Sequence, residues 1–195
     1  MSLKDLIEKY YPEYFSIETY PADKTAPFCK IDAKWGIFSN FAHTPITVDD
    51  VLFYTSERLY QVMKFQDKTA RLQVFQKKGN PKMTARHLEK LGFRRNDWGK
   101  ILVDAMKFCI AEKYRQSEEF RKALEESKGL YIVEDQTTFP RKSANTWGVK
   151  LSADGLSYTG PNLMGRLLME LRDNGEPAYN LPPDSTDFSD LKGLQ

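Results

Sequence analysis

The feature that most constrains the fold is a long amphipathic pattern between Asp97 and about Tyr114. Its apolar positions recur every three or four residues and are Ile101, Leu102, Ala105, Met106, Phe108 and Cys109. This spacing places them on one face of an α-helix, and Asp97 is suited to cap the N-terminus of that helix. The pattern therefore predicts the principal helix of a mainly helical protein.

Shorter patterns predict the remaining elements. Further helices are expected at residues 3–10, in the stretch after Thr55, and at residues 68–78, 81–92, 117–127 and 162–173. Residues 46–48 and 51–54 read as a small hairpin joined by an Asp-Asp turn, residues 129–135 as a short strand, and residues 136–162 as a long loop. The fold class that follows is mainly α (α+β), a single compact helical domain with a few short β-strands.

The length of 195 residues suits one domain with a substantial core. We expect residues 1–30 to form an N-terminal extension packed on a domain at 31–174. Residues 175–195 are rich in Pro, Asp and Ser and are expected to form an irregular C-terminal tail.

Charge narrows the classes of partner. The net charge of +2 is too close to neutral for a wholly electrostatic partner. Basic residues are nevertheless concentrated between positions 64 and 100: Lys64, Lys68, Arg71, Lys77, Lys78, Lys82, Arg86, Lys90, Arg94, Arg95 and Lys100. This basic segment is either a solvated helical surface or a surface that receives the phosphates of a metabolite or of nucleic acid.

The sequence also argues against a metal site, a disulfide framework, secretion and a membrane span. Two cysteines, far apart, and two histidines do not provide a zinc cluster or a disulfide framework, so no metal and no cofactor are expected. The N-terminus does not resemble a signal peptide, and no apolar run approaches the roughly 20 residues that span a bilayer. We expect a cytoplasmic protein with no membrane partner.

One polar stripe could carry chemistry. Glu57, Gln61 and Lys64 are one helical turn apart from each other in succession, so they share a narrow face of the predicted helix. A carboxylate, an amide and an ammonium aligned in this way can bind a polyhydroxy ligand and activate a water molecule. The alternative is a solvated face on which Glu57 merely benefits from the helix dipole, and spacing alone leaves both interpretations open.

Other polar and aromatic groups lie in short motifs along the chain. Ser39 and Asn40 are hydrogen-bonding groups placed between two aromatic rings. The remaining candidates are Trp98 at a helix start, Trp147 beside Gly148, and Asn162 and Gly165 in the last helix. Each can be explained by packing or capping, and the chain contains no GxGxxG, phosphate-binding loop, GxSxG or HExxH motif.

Taken together and in order, these motifs resemble the NADAR family, also called YbiA-like. The resemblance rests on FSNF (38–41), TSE followed by Gln61 and by Lys64-Phe65, Trp98, MKFCIAEKYRQ (106–116), YIVE (131–134), TWG (146–148) and NLMGRLLMELR (162–172). It runs from about residue 35 to residue 172.

The resemblance implies a mainly helical, metal-independent domain that cleaves N-glycosidic bonds. Two substrate classes are associated with the family: ADP-ribose attached to a nucleobase, particularly guanine in nucleic acid, and ribosylamino intermediates of riboflavin biosynthesis. By motif, Glu57 corresponds to the catalytic acid and Trp98 to the aromatic residue that stacks on the base. The expected substrate-binding residues are Phe38, Ser39, Asn40, Gln61, Lys64, Glu134, Asn145, Trp147, Gly148, Asn162 and Gly165.

The sequence departs from the family pattern on one side of the expected site. Family members commonly carry Asp three residues before the Trp of the WG motif, and this chain has Ala144 there. Asn145 or Asp135 are the candidates to replace it, and Lys150 stands where the family usually has Gly. Two rival hypotheses therefore remain, a non-catalytic protein that binds ADP-ribose-like ligands and a nucleic-acid-associated module that uses the basic segment.

Overall fold

The computed structural model describes residues 2–194, and within that range the chain is mainly α-helical. The α-helices of this range are α1 (Leu3–Tyr10), α2 (Ser56–Val62), α3 (Lys68–Gln76), α4 (Pro81–Lys90), α5 (Trp98–Gln116), α6 (Glu118–Glu126) and α7 (Leu163–Asn174). The strands of the same range are β1 (Glu18–Pro21), β2 (Thr25–Phe28), β3 (Ile46–Val48), β4 (Val51–Phe53), β5 (Tyr131–Glu134), β6 (Lys150–Leu151) and β7 (Ser157–Gly160). The predicted fold class, mainly α with a few short strands, is confirmed.

The predicted hairpin is present as the antiparallel pair β3–β4. Asp49 and Asp50, which join the two strands, have φ angles of 51° and 60°. Asp tolerates this left-handed region better than most residues, and two such residues in succession give a turn that matches the twist of a hairpin.

The prediction of one long loop at residues 136–162 was wrong, because β6 and β7 lie within it. Strand β7 pairs antiparallel with both β6 and β1, and β1 precedes it by more than 130 positions in the chain. Strand β6 has only two residues, so its pairing partner rather than its own sequence pattern defines it.

The contacts divide the chain into two compact units, each formed by two segments. The first unit contains the chain up to Ser39 and the segment Glu118–Pro177. It holds the sheet β1–β7–β6 and the parallel pair β2–β5. Helix α7 packs on β5, and α6 packs on a short 3₁₀ turn at Gly36–Phe38.

The second unit contains Asn40–Ser117 and the chain from Ala178 onward. Helix α2 lies at its centre, in contact with α3, α4 and α5, and six of the seven residues of α2 are buried. The segment predicted as an irregular tail contains two 3₁₀ turns and buries Phe188, whose ring lies 5.0 Å from that of Phe53. Among residues 2–194, no helix combines the length and the apolar character needed to cross a membrane.

Candidate functional site

Glu57 lies in the first turn of α2, where the chain enters the centre of the second unit. Thr55 caps this helix by accepting a hydrogen bond from the backbone N–H of Arg58 at 3.2 Å. The Glu57 side chain is nevertheless enclosed, since the residue is only 5% exposed. Burial of a carboxylate is costly unless it gains partners, so the solvated-face interpretation of this stripe is excluded.

Asn40 braces the start of α2. Its backbone carbonyl accepts a hydrogen bond from the backbone N–H of Glu57 at 2.9 Å. Its side-chain Oδ1 accepts a bond from the hydroxyl of Ser56 at 3.0 Å, and its Nδ2 donates to the sulfur of Met106 at 3.2 Å. The end of the FSNF motif and the TSE motif are therefore joined in three dimensions, and together they fix the backbone that carries the Glu57 carboxylate.

Gln61 fixes the carboxylate itself. Its Nε2 donates a hydrogen bond to Glu57 Oε1 at 2.8 Å. A carboxylate can only accept, so this contact determines which end of the amide carries the NH₂ group. Gln61 is 2% exposed, and its Oε1 is a buried acceptor with no hydrogen-bond partner among the described residues. The amide therefore holds one oxygen of Glu57 and presents an unused acceptor.

Lys64 is the third member of the stripe and lies against aromatic rings. Its Nζ is 2.9 Å from Glu89 Oε1, and it lies 5.8 Å from the ring centroid of Tyr60 and 5.7 Å from that of Trp98. Burial lowers the pKa of Lys64, and the negative charges of Glu89 and Glu57 partly oppose this shift. The site thus contains a shielded ammonium close to the predicted stacking residue.

Trp98 is the first residue of α5 and packs edge to face on Tyr60, with 5.2 Å between ring centroids. It is 4% exposed. Cys109, further along the same helix, is fully buried, and burial followed by the charge of Glu57 raises the pKa of its thiol. This thiol is therefore neutral near pH 7 and is not an activated nucleophile.

In the first unit, Asn162 and Gly165 join α7 to β5. Asn162 has a φ of 51°, its Nδ2 donates to the carbonyl of Ile132 at 2.9 Å, and its Oδ1 accepts from the backbone N–H of Glu134 at 3.2 Å. A Cβ at Gly165 would lie 2.1 Å from the carbonyl oxygen of Ile132. Both residues are explained by the close approach of helix and strand.

Asn145 and Gly148 are held by Gln136, a buried residue that no sequence motif singled out. Gln136 Nε2 donates to Asn145 Oδ1 at 2.7 Å and to Glu134 Oε1 at 3.2 Å, and the Asn145 backbone N–H donates to Gln136 Oε1 at 2.9 Å. Asn145 Oδ1 also accepts from the backbone N–H of Trp147 at 2.9 Å. A Cβ at Gly148 would lie 2.4 Å from the Glu134 carbonyl oxygen, so this loop lies directly on the end of β5.

The positions that depart from the family pattern also have defined partners. Ala144 faces Gly160, since a Cβ there would lie 3.2 Å from that of Ala144. Asp135, one proposed substitute for the missing acid, accepts bonds from the backbone of Thr137 at 2.8 Å and from the hydroxyl of Tyr158 at 3.4 Å. Lys150 donates to the carbonyl of Phe139 at 2.7 Å.

Phe38 and Ser39 are both buried in the first unit. The Phe38 ring stacks on Trp35 at 5.5 Å and meets Phe120 edge to face at 6.2 Å, as expected of a core residue.

The predicted site residues therefore fall into two groups. The second unit brings together Asn40, Glu57, Gln61, Lys64 and Trp98. The first unit brings together Glu134, Asn145, Trp147, Gly148, Asn162 and Gly165. Tyr60 and Glu89 were not among the predicted site residues, and the only signal for Glu89 is that it is one of few acids within the basic segment. No group of three or more His, Cys, Asp or Glu side chains that could hold a metal ion occurs in residues 2–194.

The basic segment is divided between the interior and the surface of the second unit. Lys64, Arg71 and Arg95 form ion pairs with Glu89, Asp190 and the pair Asp97 and Asp184. Its exposed cations are Lys68, Lys77, Lys78, Arg86, Lys90, Arg94 and Lys100. The surface that could meet phosphates is therefore smaller than the residue count implied.

Comparison with known proteins gives one matching family. The family model for the NADAR domain matches residues 27–174. The chain is 30% identical over 152 residues to the N-glycosidase YbiA of Escherichia coli (strain K12), which covers 77% of this chain and 88% of that protein.

Two further relatives and a solved structure match a similar share of this chain. A riboflavin biosynthesis protein of Vibrio vulnificus (strain YJ016) is 29% identical over 156 residues, which are 79% of this chain and 40% of that protein. An N-glycosidase of Nostoc punctiforme is 26% identical over 144 residues, which are 72% of this chain and 88% of that protein. The NMR structure of E. coli YbiA superposes with a TM-score of 0.61 at 29% identity, covering 78% of this chain and 84% of that one.

Proposed function

This chain belongs to the NADAR family and is an N-glycosidase; we propose that the bond it hydrolyses joins a nucleobase, foremost guanine, to the ribose of an ADP-ribose group. The observation that carries the proposal is the enclosed Glu57 carboxylate, which Gln61 holds at 2.8 Å. An enclosed, positioned carboxylate is what the reaction requires, because positive charge develops on the ribose ring as its N-glycosidic bond breaks.

In the proposed mechanism, water attacks the anomeric carbon as the bond from that carbon to the base nitrogen breaks. The bonding electrons leave with the base. Glu57 stabilises the cationic ribose and takes a proton from the attacking water, and the departing base takes its proton from solvent. Because Gln61 holds Oε1 of Glu57, the other carboxylate oxygen is the one left to face the substrate.

The remaining groups of the second unit suit the other parts of such a substrate. The unused Oε1 of Gln61 can accept a hydrogen bond from a ribose hydroxyl. Lys64 supplies an ammonium for a phosphate, and its Glu89 partner would then share it with the ligand. Trp98 supplies the aromatic surface for the departing base.

The exposed cations of the basic segment favour a substrate that carries several phosphates. Residues Lys77, Lys78, Arg86, Lys90 and Arg94 are exposed on or beside α4, whereas Glu89 is already paired with Lys64. ADP-ribose attached to guanine in single-stranded nucleic acid presents such phosphates. A ribosylaminopyrimidine phosphate presents one.

The decisive experiment offers both substrate classes to the purified chain. One reaction contains a single-stranded oligonucleotide with ADP-ribosylated guanine, and the other contains a ribosylamino intermediate of riboflavin biosynthesis. Mass spectrometry then measures the free ADP-ribose, the free base and the ribose phosphate. Release from the oligonucleotide by the wild type and not by Glu57→Gln is the expected result.

The second candidate substrate is the riboflavin intermediate, and the relative named as a riboflavin biosynthesis protein favours it. Release from that compound alone would replace the ADP-ribose proposal and leave the N-glycosidase chemistry intact. Tight binding of ADP-ribose without release of product from either compound would instead support the non-catalytic binder.

The nucleic-acid module is tested separately by the salt dependence of binding to an unmodified single-stranded oligonucleotide. Each phosphate contact contributes about 0.7 to the slope of log affinity against log salt. Arg86→Glu with Lys90→Glu should reduce this slope, whereas Lys122→Glu on α6, an exposed lysine outside the basic segment, should not. Salt-dependent binding with no hydrolysis would favour the module over the enzyme.

A further inference from the structure

The C-terminal segment is fixed to the second unit by an anchor of its own. Phe188 is fully buried between Phe53 and the guanidinium of Arg71, which lies 5.2 Å from the Phe188 ring centroid. Arg71 also donates to the backbone carbonyl of Asp187 and pairs with Asp190 at 3.3 Å. None of these anchoring contacts involves residues 182–185.

Asp184 uses that placement to connect two parts of the candidate site. Its Oδ2 accepts a hydrogen bond from Gln66 Nε2 at 2.9 Å and lies 3.2 Å from Arg95 Nη2. Gln66 follows Lys64 by two residues, and Arg95 precedes Trp98 by three. One carboxylate therefore bridges the segment that carries the ammonium and the segment that carries the indole.

Arg95 extends the bridge through the backbone. Its N–H donates to the carbonyl of Lys64 at 2.9 Å, and its own carbonyl accepts from the N–H of Trp98 at 3.2 Å. The guanidinium is 1% exposed and pairs with both oxygens of Asp97, at 2.6 and 2.9 Å. Asp97 stands at the N-cap of α5 and makes no side-chain cap bond there, because its carboxylate is turned to Arg95.

Two carboxylates thus face one buried guanidinium, and they come from different parts of the chain. Asp97 is local and neutralises Arg95 by itself. Asp184 also accepts a hydrogen bond from Gln66, which lies close to Lys64 in the sequence, and Asp97 makes no such contact. Asp184 also lies beyond residues 27–174, the part of the chain that the NADAR family model matches.

We propose that Asp184 is a positioning residue of the active site, through which the C-terminal segment holds Lys64 and Trp98 in their working arrangement. The inference rests on the proposed function for its catalytic consequence only. Its structural content, that Asp184 fixes the Trp98 ring, can be tested without a substrate.

The test compares Asp184→Asn with Asp187→Asn in the full-length chain. Both variants remove one negative charge from the same exposed segment. The Asp187 side chain, however, accepts a hydrogen bond from the backbone N–H of Ser189, and Asp187 contacts Arg71 through its backbone carbonyl. The Phe188 anchor remains in both variants, so both should stay folded, and thermal unfolding checks this.

The substrate-free measurement is the indole N–H signal of Trp98 in a ¹⁵N NMR spectrum, assigned with Trp98→Phe. Three tryptophans give three such signals. We expect Asp184→Asn to shift or broaden the Trp98 signal and Asp187→Asn to leave it unchanged. A Trp98 signal that is the same in wild type and Asp184→Asn overturns the proposal, whatever the activity.

The kinetic measurement uses whichever substrate the wild type hydrolyses. We expect Asp184→Asn to lower kcat/KM about tenfold, because small displacements of positioned groups are costly to a reaction. Asp184→Glu should recover part of the loss, and Asp187→Asn should match the wild type. Equal kinetics for the two Asn variants overturn the catalytic part. A changed Trp98 signal in a protein that hydrolyses neither compound supports the positioning role while the proposed function fails.

Discussion

Two buried amide side chains, Gln61 in the second unit and Asn162 in the first, are used in opposite ways. Both ends of the Asn162 amide bond to the backbone of β5: Nδ2 donates to the carbonyl of Ile132, and Oδ1 accepts from the N–H of Glu134. The NH₂ group of Gln61 donates to Glu57, and its Oε1 has no partner among the described residues. Buried polar groups are nearly always satisfied, and Gln61 Oε1 is one of four buried side-chain atoms without a partner among residues 2–194, all of them in the second unit. Gln61 therefore distinguishes the α2 group, formed by Asn40, Glu57, Gln61, Lys64 and Trp98, from the junction of β5 and α7, where both ends of the Asn162 amide are bonded.

The difference extends to the neighbours of these amides. Around Asn162, the glycines permit close approach of backbone to backbone, and Gln136 braces the loop before α7. Around Gln61 are a carboxylate, a shielded ammonium and two aromatic rings. We therefore expect substitutions in the α2 group to affect catalysis, and substitutions at the junction of β5 and α7 to affect stability.

The largest effect is expected for Glu57→Gln. Hydrolysis should fall about a hundred- to ten-thousand-fold, because the variant cannot take a proton or stabilise a cationic ribose. The free energy of unfolding should change by less than about 1 kcal/mol, since the new amide can still accept from Gln61. Steady-state kinetics and urea denaturation measure the two quantities. Retained hydrolysis in a folded variant would rule out the assigned role.

Gly165→Ala should have the next largest effect, which is a loss of stability rather than of activity. The new methyl group would lie 2.1 Å from the carbonyl oxygen of Ile132 and 2.5 Å from Asn162 Oδ1. Helix α7 must then move away from β5, at a cost of about 3 kcal/mol. Urea denaturation measures the loss. An unchanged midpoint would show that the junction is looser than the structure indicates.

Asn162→Ala should cost about 2 kcal/mol, because the carbonyl of Ile132 and the N–H of Glu134 each lose a partner. The φ of 51° adds a second cost, since alanine disfavours the left-handed region. Asn162→Gly is the matched control, because it removes the same hydrogen bonds without that backbone cost. If Asn162→Gly is as stable as the wild type, the amide does not brace the junction.

Gln61→Met should change stability least. Unlike the variants at the junction of β5 and α7, it should affect hydrolysis more than stability. It loses one hydrogen bond to Glu57 but also removes a buried acceptor that none of the described residues satisfies, so the two effects on stability oppose each other and the net change stays within about 1 kcal/mol. Hydrolysis should fall by about tenfold, because Glu57 loses its brace. A variant that is strongly destabilised but fully active when folded would show that Gln61, like Asn162, has only a structural role.

The sequence predicted the α2 group better than it predicted the junction. Helical spacing placed Glu57, Gln61 and Lys64 on one face, but α2 ends at Val62 and Lys64 lies just beyond it. Gln61 nevertheless bonds to Glu57, and Lys64 lies over the Trp98 ring. By contrast, Asn145 and Gly148 were selected by motif only, and nothing indicated that Gln136 holds them. The contacts at this junction join residues of different strands and loops, and such contacts leave no periodic pattern in the sequence.

Several features depend on partners that are distant in the chain. The strands β6 and β7 form because β1 is available to pair with β7. Lys113 belongs to the long helix α5 yet is fully buried, and burial lowers its pKa to about 7. The amphipathic pattern of α5 predicted one apolar face and gave no sign that this ammonium would be enclosed.

The sequence by itself determined the helices, the hairpin with its Asp-Asp turn and the family, because capping, periodicity and turn chemistry act over a few neighbouring residues. Only the tertiary structure decided which polar groups are enclosed and that Asp184 of the C-terminal segment reaches Gln66 and Arg95. It also decided that Gln61, beside Glu57, keeps an acceptor with no partner within residues 2–194. Burial and long-range pairing depend on elements that meet only when the chain has folded, and the chemistry of this site depends on both.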